Sequence, residues 1–196
     1  MKKIVSYIAM VLAVAEIVLI LVSWLLSATV GDDVRSLLSS EGIRFFFGGF
    51  VNMLLSPLLV WIVLLSMAYG CLCSSGMLSM FNDHMGYRQR QTLFILVVVL
   101  SVYLEIVLAL SMSPHAVLLS ATGRLWPSAF SRALVPIIAF GIILLSTVYG
   151  LVSRRFLSLS DGCQSVSGGI ATAAPLFLLY VLFMQLFSSL RFAFGF

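Results

Sequence analysis

IVSYIAMVLAVAEIVLILVSWLL, Ile4 to Leu26, holds one charged residue, Glu16, in an otherwise apolar run. At about 20 residues per crossing of a roughly 30 Å hydrocarbon core, such a run reads as a transmembrane α-helix. Similar runs recur at PLLVWIVLLSMAYGCLCSSGML (57–78), TLFILVVVLSVYLEIVLALSMS (92–113), ALVPIIAFGIILLSTVYGLV (133–152) and ATAAPLFLLYVLFMQLFSSL (171–190). They predict an all-α, polytopic membrane helix bundle of about five transmembrane helices, forming a single membrane domain over residues 1–196. Continuous rather than alternating apolar runs exclude an outer-membrane β-barrel, despite the terminal phenylalanine.

Composition points the same way. The chain is 62% hydrophobic and 9% charged, with a mean hydropathy of +1.17; an ordinary soluble domain is about 45–50% apolar and about 25% charged. At 196 residues, five spans and their loops leave no room for a separate soluble domain. The net charge of +4 is spread in ones and twos at the ends of apolar runs, a pattern of membrane anchoring that excludes nucleic acid as a partner. Lys2 and Lys3 open the chain like a secretory signal, but the following apolar core is too long for one and carries Glu16, so an uncleaved first span is expected.

The connecting segments have distinct signatures. Trp24 falls near the far interface, where indole rings favour the headgroup layer. The linker GDDVRSLLSSEGIR (31–44) collects Asp32, Asp33, Arg35, Glu41 and Arg44 and reads as solvent-facing. From Phe45 to Asn82 there is no charge. One straight helix of that length would be roughly 57 Å, so the segment must bend or break, with Gly48, Gly49 and Pro57 supplying the means. An interfacial, broken or re-entrant segment is therefore expected at about 43–56, lying at the interface or entering at a slant ahead of the second span. Ser66, Gly70 and Cys73, with Ser74 beside them, form a small-residue stripe that either lets another helix approach closely or is lipid-neutral filler. Pro114 closes the third span. HAVLLSATGRLWPSAFSR (115–132) reads as too polar and too Pro-interrupted to cross, with a short re-entrant turn at HAVLLSA (115–121) as one form it could take. Pro136 sits in the first turn of the fourth span, where its missing N–H costs least. RRFLSLSDGCQSVSGGIATAAP (154–175) reads as a loop followed by a run of small residues, Ser167 to Ala174, that either starts the last helix or forms half of a hairpin.

Charge bias sets orientation weakly. With Lys2 and Lys3 in the cytoplasm, five crossings place Arg88, Arg90, Arg154 and Arg155 inside, and Arg35, Arg44, Arg124, Arg132 and Arg191 outside. The expected location is the cell inner (plasma) membrane, multi-pass, with the amino terminus inside; the alternative is a partner-determined or dual orientation.

No catalytic motif is present: there is no H-E-x-x-H, G-x-S-x-G, nucleotide loop or histidine cluster, so an enzyme is not expected. Cys71, Cys73 and Cys163 supply neither paired metal-ligand dyads nor an even disulfide framework, and no metal or cofactor is expected. His84 reads as a solvated loop residue and His115 as an interfacial cap.

The chemistry that remains is intramembrane. An ionised carboxylate in hydrocarbon costs at least roughly 2.5–3.5 kcal/mol on insertion scales, so Glu16 must be protonated, paired or turned to a polar cavity. Glu105 sits at a similar depth in the third span, about 18–20 Å from the side where its helix begins. Two such acids would share a proton, bind a cation, or both stay neutral. Ion-coupling or polar candidates are thus Glu16, Glu105, Asn52 and Gln185. The structural reading places each acid in a hydrogen bond across a helix interface, with Ser101, Tyr103, Asn52 or Gln185 as partners; a third reading neutralises the charge from another subunit.

Val34 to Ser79, VRSLLSSEGIRFFFGGFVNMLLSPLLVWIVLLSMAYGCLCSSGMLS, resembles the amino-terminal region of the AbgT family of p-aminobenzoyl-glutamate transporters. SSEGIR (Ser39–Arg44), and Gly70 followed by SSGML (Ser74–Leu78), carry the likeness in order and spacing. PSAFSRALVPIIAFGIILLSTVYGLVSRRF resembles a later family span more loosely. Family members are far longer. Their first hairpin carries an aspartate near the substrate and ion sites, whereas the matching stretch here, EIVLALSMSPHAV, has none, so no binding residue is carried over. The resemblance implies a secondary transporter of a small organic anion of p-aminobenzoyl-glutamate type, coupled to H+ or Na+. The alternative is a non-transporting scaffold or accessory subunit of a larger membrane complex. Expected partners are the lipid bilayer and a second copy or a membrane partner subunit.

Overall fold

The computed structural model describes residues 2–30, 34–78, 87–112 and 129–195. The protein is all-α, with no strand among the described residues: α1 (Lys2–Val30), α2 (Ser40–Gly48), α3 (Phe50–Leu54), α4 (Pro57–Ser75), α5 (Tyr87–Met112), α6 (Ala129–Val152) and α7 (Leu159–Phe194). Five of these, α1, α4, α5, α6 and α7, are long and apolar enough to cross a membrane. Tyr7, Met10, Ile17, Leu21 and Leu25 on α1 and Phe94, Val97 and Ile106 on α5 are exposed. Apolar surface on that scale is left uncovered only when lipid covers it, and the chain is an integral, multi-pass membrane protein. The re-entrant turn expected at 115–121, His84 and His115 lie outside the described residues.

The chain divides into two compact units. The first joins Met1–Ile62 to Ala173–Phe196. In it α1 and the carboxyl-terminal half of α7 run parallel: Glu16 meets Ser189, and the linker that follows α1 returns to the end of α7, where Arg35 N–H donates to the Ala193 carbonyl. A parallel first and last span is what five crossings require. The linker is not wholly solvent-facing, because Leu37 is buried and its N–H donates to Ser23 Oγ at 3.2 Å. Two main-chain donors of a loop are thereby satisfied by protein rather than by water.

Ser39 caps α2 by accepting from Gly42 N–H at 3.1 Å. Phe45 on α2 stacks on Phe192 with ring centroids 4.4 Å apart, and Tyr180 donates to the carbonyl of Leu54, the last residue of α3. Phe192 and Tyr180 are twelve residues apart on α7, about 18 Å along its axis. The α2–α3 segment therefore descends alongside α7 as a broken helix. Its break has a defined form: Leu55 (φ −71°, ψ 76°) is the centre of an inverse γ-turn in which Ser56 N–H donates to the Leu54 carbonyl at 2.8 Å. Pro57 keeps Ser56 from helical geometry and opens α4 at the position where its absent N–H is harmless. Non-helical backbone at such a depth persists only where protein supplies hydrogen bonds. Tyr180 does so, with its hydroxyl 2.8 Å from the Leu54 carbonyl and 2.7 Å from Ser56 Oγ.

The second unit is Val63–Thr172. Here α4 and the amino-terminal half of α7 meet through Ser66 and Gly70 on one side and Ser165 and Gly169 on the other, a small-xxx-small pair on each helix. A Cβ at Gly70 would fall 2.7 Å from the Ser165 carbonyl oxygen, so the two backbones are in direct contact. The Ser66 and Ser165 hydroxyls donate to the Val63 and Gly162 carbonyls of their own helices, each at 2.7 Å, leaving no hydroxyl unsatisfied at the crossing. Antiparallel α5 and α6 pack through Leu96 and Tyr149 at one end. At the other, Tyr103 donates to the Ile137 carbonyl at 2.7 Å and its ring lies over Gly141.

The largest departure from the sequence reading is the start of α7 at Leu159, which takes in DGCQSV, read above as loop; the small-residue run from Ser167 is helical, one of the two forms expected for it. Ser158 and Asp161 explain the start. Asp161 Oδ2 accepts from Ser158 N–H at 3.1 Å and from Leu157 N–H at 2.7 Å, the acidic half of a capping box. Glycines and serines that weaken an isolated helix are held helical here by the close crossing with α4.

Candidate intramembrane polar site

In the first unit, Glu16 is half-buried on α1 and its Oε1 accepts from Ser189 Oγ at 2.5 Å. Its other oxygen, Oε2, is buried with no hydrogen-bond partner. Gln185 is 6% exposed, and both its amide nitrogen and its amide oxygen are buried without a partner. Gln185, Ser189 and Phe192 stand at i, i+4 and i+7 on α7, so they share one face. That face receives α1 at Ser189 and α2 at Phe192. An unmade hydrogen bond on a buried polar group costs about 1–3 kcal/mol, and three orphaned atoms lie on this part of α1 and α7. Such groups mark either a ligand site or an energetic cost with no return.

The donor set has a clear chemistry. A carboxylate oxygen, an amide oxygen and a hydroxyl are hard oxygen ligands suited to H+ or a small cation, and the amide N–H2 adds a donor for a carboxylate or water. Glu16 lies seven residues, about 10 Å along α1, from Ser23, where the polar linker contacts the helix.

The remaining candidates lie elsewhere. Asn52 is exposed on α3. Glu105 is exposed on α5 in the second unit and none of the hydrogen bonds among the described residues reaches its carboxyl group. Neither Ser101 nor Tyr103 serves it: the Ser101 hydroxyl donates to the Val97 carbonyl at 2.9 Å and that of Tyr103 to Ile137. Sequence reasoning named Gln185 but missed Ser189, the actual partner of Glu16. Its signal was the i, i+4 spacing of a hydroxyl from a glutamine within an apolar span. Tyr180, which satisfies the helix break, was also missed; a tyrosine inside a span, opposite a Ser-Pro break, was the clue.

In the second unit an apolar groove of about 490 Å³ is lined by Met67, Ile143, Thr147, Cys163, Val166 and Ile170, among others. No charged side chain lines it. Cys71 is buried, with Sγ 3.3 Å from Thr147 Oγ1, while Cys73 and Cys163 are exposed. Among the described residues no group of three His, Cys, Asp or Glu converges as metal ligands would. Protein-family models, curated proteins and solved structures alike yield no match to this chain, and its assignment rests on its own residues.

Proposed function

We propose that this membrane protein is a small secondary transporter that couples the movement of an organic anion to H+ or Na+, with Glu16 as the ion-binding group and Ser189 and Gln185 as its partners. The observation that carries the reading is the set of orphaned polar atoms on Glu16 and Gln185. A chain that needed only an anchored α1 would do better with leucine at both positions. The broken α2–α3–α4 path adds support, since discontinuous helices are where transporters expose backbone groups to substrates and ions. The anion class, of p-aminobenzoyl-glutamate type, rests on the AbgT resemblance of Val34 to Ser79.

The test is uptake of p-aminobenzoyl-glutamate by vesicles containing the full chain, under an imposed proton or sodium gradient. Gradient-dependent uptake that Glu16→Gln abolishes and Gln185→Leu weakens is the expected result. Absence of gradient-dependent uptake, or uptake indifferent to both substitutions in helical, folded protein, would refute it.

One observation favours a second reading, a non-transporting subunit of a larger membrane complex: the mid-span carboxyl group of Glu105 is exposed. That reading predicts a stoichiometric complex in mild detergent and no ion-coupled flux.

A further inference from the structure

We propose that the outer face of α5, centred on Glu105, docks a transmembrane helix of a different chain carrying a lysine or arginine near its middle. The inference stands apart from transport and holds whether or not Glu16 binds an ion.

The packed stripe of α5 consists of Thr92, Leu96, Val99, Tyr103, Val107 and Ser111, all buried or half-buried. Glu105 is two residues beyond Tyr103, about 200° around the helix at 3.6 residues per turn, and so points directly away from α6. Phe94, Val98, Ser101 and Leu108 share its exposed face. The result is an apolar strip with one carboxyl group at its centre. Lipid tails satisfy the strip and cannot satisfy the carboxyl group. Intramembrane acids are found paired or facing protein, and the opposite charge is the partner that leaves neither group bare.

A second copy offers no complementary charge among the described residues: Lys3, Arg35, Arg44, Arg90, Arg154, Arg155 and Arg191 lie near a helix end or in a connecting segment, and none at mid-span. Arg90, at the start of the same helix, is fifteen residues from Glu105, about 22 Å along the axis. Ser101 is the neighbouring polar group on the face, and its hydroxyl is already committed to Val97. A foreign helix with a basic residue at matching depth completes the pair.

The experiment places the full chain in phosphatidylcholine vesicles with one of three single-span polyleucine helices, identical except for arginine, glutamine or leucine at the centre. Association is read by fluorescence energy transfer. The arginine helix is expected to associate at least about tenfold more tightly than the leucine helix, the scale of a polar interhelical contact. Both Glu105→Leu and Glu105→Gln should shrink that preference to less than about twofold while circular dichroism reports unchanged helix content. Equal association of the arginine and leucine helices, or an arginine preference that survives both substitutions, would overturn the proposal. So would self-association of the chain alone that is lost in Glu105→Leu, because a second copy would then cover the face.

Discussion

Gly169 and Gly168 are adjacent on α7, yet a methyl group added to each meets opposite conditions. At Gly169 a Cβ would lie 2.8 Å from Gly70 Cα and 3.0 Å from Gly70 N, with the Ser66 carbonyl nearer still. Ordinary carbon contacts lie at about 3.5–4.0 Å, so α4 and α7 must part by about 1 Å. A radial gap of 0.5–1 Å forfeits about a quarter to a half of the dispersion energy of the atoms it separates, and overpacking of this kind costs about 1–3 kcal/mol. Alanine returns about 0.5–1 kcal/mol through its better helix propensity. The net loss for Gly169→Ala is therefore about 1–2 kcal/mol. At Gly168 a Cβ meets nothing within 4 Å, and only the propensity gain remains, up to about 1 kcal/mol. Reversible unfolding of the two variants by titration with a denaturing detergent should separate them by about 1–3 kcal/mol, with wild type between. Parallel shifts of the two midpoints, or a neutral Gly169→Ala, would show that α4 and α7 do not cross in backbone contact.

Two further outcomes follow from single contacts. Tyr180→Phe removes the donor to the Leu54 carbonyl and the partner of Ser56 Oγ, so it should cost about 1–2 kcal/mol in the same unfolding assay and increase amide exchange at residues 54–56. In mild detergent, maleimide should label Cys73 and Cys163 and leave Cys71 unlabelled until the protein is unfolded, as read by mass spectrometry.

The fold class was legible because membrane spans are written in composition: stretches of about 20 apolar residues have no other stable home. Pro57 as the start of α4 followed from what proline does to the residue before it. The path of α2 and α3 was not legible. Gly49 and Pro57 announce a break, but only Phe45 on Phe192 and Tyr180 on Leu54 decide that the segment runs down α7 instead of along the interface. The start of α7 was missed because SDGCQSV has weak intrinsic helix preference; the Ser158–Asp161 cap and the glycine crossing with α4 override it. For the polar site, sequence located Glu16 and Gln185 by their cost in hydrocarbon. It could not reveal helix rotation, which turns Glu16 toward Ser189 and Glu105 away from α6.

Everything rests on an odd number of crossings, with α1 and α7 running in the same direction. Epitopes placed before Lys3 and after Gly195, probed with protease in sealed, oriented membrane vesicles, test this most directly. Digestion of one epitope and protection of the other is the predicted result. Protection or digestion of both together, or recovery of the chain in the aqueous fraction, would contradict it.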